Sequence, residues 1–321
     1  MSREAAGTGL VARERESTRS SLGSALPGFA LKGRGNLTET VAFSISDKVM
    51  DDGDLTENLI RLRDNGFAYI HFSQGWRDLE PLSREATDLW LEALAASGVR
   101  VLDVHGCHPK DMNIWDEHPE RRQAAMDLFV HRLRLTKELG GDAMVYHVPY
   151  HCEPAPEIIE RFIDALARLE DTAREIGVRV ALENHYLHEN DRIALTAAFE
   201  RFESDYVGLT FDSGHAVRSG NTYWLIDNCF DRLAILHLHD NEPEKDRHWL
   251  PWHERGHVPW ERIAEAIARS SYTKPLQFEV QWKEKEQPDQ LQFLKDAHSA
   301  ALRLHSLVEA ERAANKANCT P

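Results

Sequence analysis

Residues able to hold a divalent cation recur in this chain at one kind of place, the end of a short apolar run. VRVLDVH ends at His105, AMVYH at His147, VRVALE at Glu183 and VGLTFD at Asp212, with His215 following in SGH. LAILHLH carries His237 and His239, and LQFEV carries Glu279. Taken singly, a histidine at a strand end more often makes a hydrogen bond in the core or rim, and a buried glutamate more often pairs with an arginine. Six successive runs ending this way are a different matter. Burying several carboxylates with no compensating cation is costly, and a bound metal removes that cost. The polar stretch HLHDNEPEKDRHWLPWHERGH would then bring Asp246 and His248 back to the same place in the triplet DRH.

These residues can meet only if the runs that carry them lie side by side. Eight short runs rich in β-branched and aromatic residues occur from residue 40 onward: TVAFSI, FAYIHF, VRVLDVH, DAMVYHV, VRVALEN, YVGLTFD, LAILHLH and LQFEVQ. Near-continuous apolar character is that of parallel strands covered on both faces. Between them stand amphipathic segments such as REATDLWLEALAASG and APEIIERFIDALARLEDTAREIG, with Pro119 or Pro156 near a start and Gly at several ends. Eight strand–helix units predict an α/β fold closed into a single-domain (β/α)₈ barrel, a TIM barrel, whose functional residues gather at the C-terminal ends of the strands. We place the barrel at residues 38–313, an N-terminal tail or arm at 1–37 and a short C-terminal tail at 314–321.

Composition narrows the partners. The 321 residues are 42% hydrophobic and 28% charged, as in a soluble globular protein, and 38 Lys and Arg against 53 Asp and Glu leave a net charge of −15. That balance argues against broad contact with nucleic acid or an anionic membrane and favours a small-molecule substrate. No apolar run approaches membrane-spanning length. The N-terminal segment has no apolar stretch of the signal-peptide kind, and Glu4, Glu14 and Glu16 weaken a transit-peptide reading. Cys107, Cys152, Cys229 and Cys319 are scattered with no CxxC pair, so a reducing cytoplasm is expected.

VALEN, TFDSGH, HLHDN, DRH and QFEV together resemble the xylose-isomerase-like TIM-barrel superfamily, over roughly residues 40 to 300. That group holds sugar isomerases and epimerases alongside endonuclease IV. The isomerase branch implies one divalent ion (manganese, cobalt or magnesium) held by Glu183, Asp212, His237 and Glu279. His237 is favoured over His239 because it stands three before Asp240, as the family's H-x-x-D pattern has it. The endonuclease IV branch implies three zinc ions and adds His105, His147, His215, Asp246 and His248. The chain departs from that branch in its acidity and in ERGH around Gly256, where Gly-x-Gly is usual.

Two chemistries follow from the resemblance. In an isomerase or epimerase of a sugar-like ketose, the metal would stabilise an enediolate while Glu183 and Glu279 act from opposite sides, one removing a carbon-bound proton and the other returning it. His215, His239, Arg247, Trp76 and Trp115 would contact the substrate, with Tyr186 and Lys245 as further wall or anchor residues. In a multi-zinc hydrolase of a phosphoester, Glu183 would bridge two metals. A homodimer or homotetramer, to which the long C-terminal helix could contribute, is common among such relatives.

Overall fold

The computed structural model describes residues 41–109, 112–150 and 152–318. The tail expected at 1–37 lies outside the described residues. Seven barrel strands follow in chain order: β1 Phe43–Ser46, β2 Phe67–Phe72, β3 Arg100–His105, β4 Ala143–His147, β5 Arg179–Glu183, β6 Val207–Asp212 and β7 Leu233–His237. Two further strands, β8 Asp240–Glu242 and β9 Lys245–Trp249, form a separate antiparallel hairpin, and β10 Gln277–Phe278 is the eighth barrel strand. The large sheet is parallel, in the order β10-β1-β2-β3-β4-β5-β6-β7. It closes where Leu238 N–H donates to the Gln277 carbonyl at 3.0 Å and Glu279 N–H donates to the Leu238 carbonyl at 3.1 Å. This is the TIM barrel that the alternation of runs predicts.

The helices start and stop where local chemistry says they should. Asp54 accepts from Glu57 N–H to cap α1 (Leu55–Asp64), and Ser83 accepts from Ala86 N–H to cap α2 (Arg84–Ser97). Proline opens α3 (Pro119–Glu138) and α4 (Pro156–Ile176), and left-handed glycines, Gly98 and Gly177, end α2 and α4. The segment after β5 forms α5 (His188–Arg201), and two short helices, α6 (Ser213–Ser219) and α7 (Thr222–Cys229), fill the connection to β7. After the hairpin come α8 (Trp260–Arg269) and α9 (Gln290–Asn318). The last helix therefore continues past residue 313, the barrel boundary set from sequence. Among the described residues no helix is long and apolar enough to cross a membrane, and Cys107, Cys152 and Cys229 are free.

The barrel's own interior is layered, because side chains two apart on a strand point the same way. Val145, Ala181 and Ile235 belong to a small apolar cluster of their own, separate from the main core between strands and helices. Two residues further along the same strands come His147, Glu183 and His237. An apolar layer thus lies directly beneath a layer of ionisable groups.

Candidate metal centre and active site

Strands β3 to β7, and the residue following β10, deliver ionisable side chains into one buried group. Glu183, Asp212, His237 and Glu279 each offer a ligand atom within 4.8 Å of the others, and all four are buried. His237 Nδ1 lies 2.8 Å from Glu183 Oε1 and 3.3 Å from Glu279 Oε2. The other Glu183 oxygen, Oε2, is 2.9 Å from His147 Nε2 and 3.8 Å from His105 Nε2. Asp212 serves twice, since it also caps α6 by accepting from His215 N–H at 2.6 Å. That cap fixes His215, whose Nε2 is 3.5 Å from Asp246 Oδ2.

The hairpin supplies the remaining pair. Asp246 Oδ2 is 3.1 Å from His248 Nε2, and His248 Nδ1–H donates to the Glu279 carbonyl at 2.6 Å. His248 adopts a positive φ of 53°, which is rare for a residue with a side chain. Residues 240–249 of the polar stretch thus form an ordered hairpin. His239 is fully buried beside Asp212, 3.0 Å from its Oδ1, and stacks on His248 with ring centroids 4.1 Å apart. Only a glycine at 214 permits this, because a Cβ there would sit 2.0 Å from the His239 ring.

Three of the histidines share one anchoring scheme. His105 Nδ1–H donates to the Gly106 carbonyl at 2.8 Å, His215 Nδ1–H to the Asn184 carbonyl at 3.1 Å and His248 Nδ1–H to the Glu279 carbonyl. Each thereby turns Nε2 toward the carboxylates. His237 is reversed, with Nδ1 toward the carboxylates and Nε2 facing Asp103 Oδ2 at 3.4 Å.

The electrostatics divide the cluster. Burial opposes ionisation of Glu183, but the His237 and His147 imidazoles outweigh it and hold the carboxyl well below the usual range. Glu279 is held down likewise, against its burial, by Lys48, His237 and His248; Lys48 Nζ lies 2.9 Å from its Oε1. Against their own burial, His237 is pushed well above its ordinary value by Glu183 and Glu279, and His215 by Asp212 and Asp246. His105, His108 and His185 go the other way: burial, then their neighbouring imidazoles, keep them neutral.

The donor chemistry fits a divalent cation. Three carboxylates and an imidazole converge from β5, β6, β7 and the end of β10, a set that suits manganese, cobalt, magnesium or zinc. His105, His147 and Glu183 form a second group close enough to share an ion, and His239, Asp246 and His248 a third.

An open cleft of about 670 Å³ lies over these groups. Among the residues expected to meet substrate, Trp76 and His215 line it, as does Tyr186. Trp115 instead is buried among His108, Tyr146, Tyr150 and Phe162, and Arg247 pairs with Glu242, so neither is among the lining residues. Lining residues that sequence reasoning missed are Lys48, Arg77, His108, Tyr150, His185, Arg218 and Gln281. Arg77 stacks on Trp76 at 4.3 Å and Arg218 on Tyr186 at 4.4 Å from the ring centroids. They come from loops and short helices, which carry no periodic signal; Lys48 had a weak one, its place just past the first strand.

The model of the xylose isomerase-like TIM barrel family matches residues 59–297, and the chain belongs to that family. An uncharacterized protein, y4fM, of Sinorhizobium fredii is 27% identical over 294 residues, which span 82% of this chain and 93% of that protein. Among solved structures, an L-ribulose 3-epimerase superposes with a TM-score of 0.67 at 19% identity, covering 87% of this chain and 98% of the other. The IOLI protein, solved with a binding zinc atom, gives 0.64 at 17% identity over 85% of this chain and 99% of its own. At such identities the structural likeness establishes the fold.

Proposed function

We propose that this member of the xylose isomerase-like TIM barrel family is a divalent-metal-dependent isomerase or epimerase of a sugar or sugar-like ketose, with Glu183, Asp212, His237 and Glu279 as the metal ligands. The observation that carries the reading is that two ionised carboxylates, Glu183 and Glu279, flank one imidazole nitrogen at the base of an open polar cleft. When bound, the cation would polarise the substrate's adjacent carbonyl and hydroxyl oxygens and so acidify the carbon-bound proton between them. Glu183 and Glu279, held ionised by their imidazole and ammonium neighbours, are both ready to accept that proton, and whichever takes it leaves the other to serve the opposite face. Lys48 keeps Glu279 in place through its 2.9 Å contact. His215, fixed by the Asp212 cap and the Asn184 carbonyl, would hold a substrate hydroxyl, while Trp76 and Tyr186 wall the cleft against water. The substrate class also draws support from the epimerase among the structural neighbours.

A panel of ketopentoses, ketohexoses and cyclic ketoses incubated in D₂O tests this. Deuterium should replace one carbon-bound proton in at least one substrate, and the exchange should vanish in Glu183→Gln and Glu279→Gln. Exchange in none of them would overturn the reading. A multi-zinc phosphoester hydrolase is the second reading, favoured by the two further groups around His105 and His147 and around Asp246 and His248. About three zinc ions per chain and cleavage of a phosphodiester would select it.

A further inference from the structure

The reversed ring of His237 has a cause deeper in the barrel. His71 on β2 and Asp103 on β3 sit level with each other in register, and both are fully buried. His71 Nδ1 is 2.5 Å from Asp103 Oδ2, and the same oxygen is 3.4 Å from His237 Nε2 on β7. The His71 and His237 rings also pack edge to face, 4.5 Å between centroids. The contact therefore reaches through the barrel interior, since β7 is neighbour to neither β2 nor β3 in the sheet.

Nothing in the fold requires polar groups at this depth. Asp103 is level with Ala143 of β4, which belongs to the interior apolar cluster. Placing a carboxylate and an imidazole there costs more than an apolar layer would, so their presence calls for a task. The anchoring scheme supplies one. His105, His215 and His248 present Nε2 because a backbone carbonyl takes their Nδ1–H. His237 presents Nδ1, so its acceptor must lie on the Nε2 side, and there Asp103 stands.

We propose that His71 and Asp103 are positioning residues, a buried relay that holds His237 with Nε2–H on Asp103 and Nδ1 turned to Glu183 and Glu279 as the metal-binding atom. The proposal rests on the metal reading above. His71, Asp103 and His237 are themselves close enough to share an ion. Yet His71 and Asp103 are fully buried and neither lines the cleft, whereas Glu183 and Glu279 do. The relay is thus an outer support of a ligand, of the kind that fixes the ring's tautomer and strengthens its donor atom.

The test compares full-length wild type with Asp103→Asn, His71→Gln and His71→Leu. Mn²⁺ and Cd²⁺ dissociation constants are measured by titration calorimetry, and metal-free melting is followed by circular dichroism. Asp103→Asn should bind either ion about 10–100-fold more weakly while its metal-free melting stays close to wild type. His71→Gln, which keeps a donor for Asp103, should bind nearly as wild type does, and His71→Leu should not; a merely structural role would not separate them by affinity. With ¹¹³Cd bound and ¹⁵N-labelled histidine, cadmium coupling should appear on His237 Nδ1. Unchanged affinity in Asp103→Asn, equal affinity in both His71 variants, or coupling to Nε2 would overturn the relay and leave the metal reading standing. A wild type that binds neither ion would overturn the metal reading and the relay together. Should Asp103→Asn fail to fold, the two His71 variants decide.

Discussion

The two sides of the cleft floor are built of similar residues and behave oppositely. On the β5–β10 side, carboxylates from Glu183, Asp212 and Glu279 alternate with imidazoles, and burial is overcome: Glu183 and Glu279 stay ionised, and His237 and His215 hold their protons more tightly than usual. Around His147, by contrast, the rings of His105, His108 and His185 stand 4.7–4.9 Å from its own and against further aromatic rings, and burial keeps these three neutral. Even a carboxyl behaves this way there. Asp191, under His185, accepts from His185 N–H at 2.8 Å and from Asn221 at 3.1 Å, and burial still pushes it up to about 7. Burial alone thus does not set a site's charge; the alternation of opposite charges does. One side can attract a cation by charge, whereas the other offers neutral nitrogen donors.

Four experiments would break or sharpen that contrast. Glu183→Ala removes the carboxylate shared by both sides, and we expect ion binding to fall at least 100-fold and proton exchange to be lost, read by calorimetry and by NMR in D₂O. Binding as tight as wild type would mean that the ionised side is not the metal centre. Adding Mn²⁺ at about 1,000 times its dissociation constant to chelator-treated protein should stabilise the fold by about 4 kcal/mol, seen as a rise in Tm; no rise would mean no differential binding. His147→Ala should leave one ion per chain with affinity within a few-fold if the ionised side suffices. A fall in metal stoichiometry would instead assign an ion to the neutral side.

The fourth concerns pH. Asp191 ionises near 4 in the unfolded chain but near 7 when folded, so between those values only the folded chain keeps its proton, and this group's contribution declines as pH rises, by at most about 1.4 kcal/mol per unit. The stability of wild type relative to Asp191→Asn should therefore be greatest near pH 4 and shrink toward pH 7 in urea titrations. A difference that does not change with pH would show that Asp191 is ionised in the fold.

The barrel and the four central residues could be read from sequence because each rests on a repeated signal: apolar runs at regular intervals, each ending in a residue of the same chemical kind. Arg77 and Arg218 carry no such signal, one lying in the turn after β2 and the other in the short helix α6, and Lys48 carries only its place just past β1. Arg247, expected from sequence to reach the substrate, is not among the cleft-lining residues, since Glu242 across the β8–β9 hairpin captures its guanidinium. His71 and Asp103 were visible but not recognised: a polar residue inside a buried strand, two positions before an end ligand as Asp103 is before His105, points into the same interior. Attention to strand ends alone passes over it.

The β8–β9 hairpin brings Asp246 and His248 to the cluster without being part of the barrel sheet. Substitutions on β9 would add or subtract such side chains while Glu183, Asp212, His237 and Glu279 stay where the barrel strands put them. For an engineer this marks β9, rather than β8, as the strand to vary, since buried Asp240 of β8 accepts from Val258 N–H and Trp260 Nε1–H and so ties the hairpin to α8.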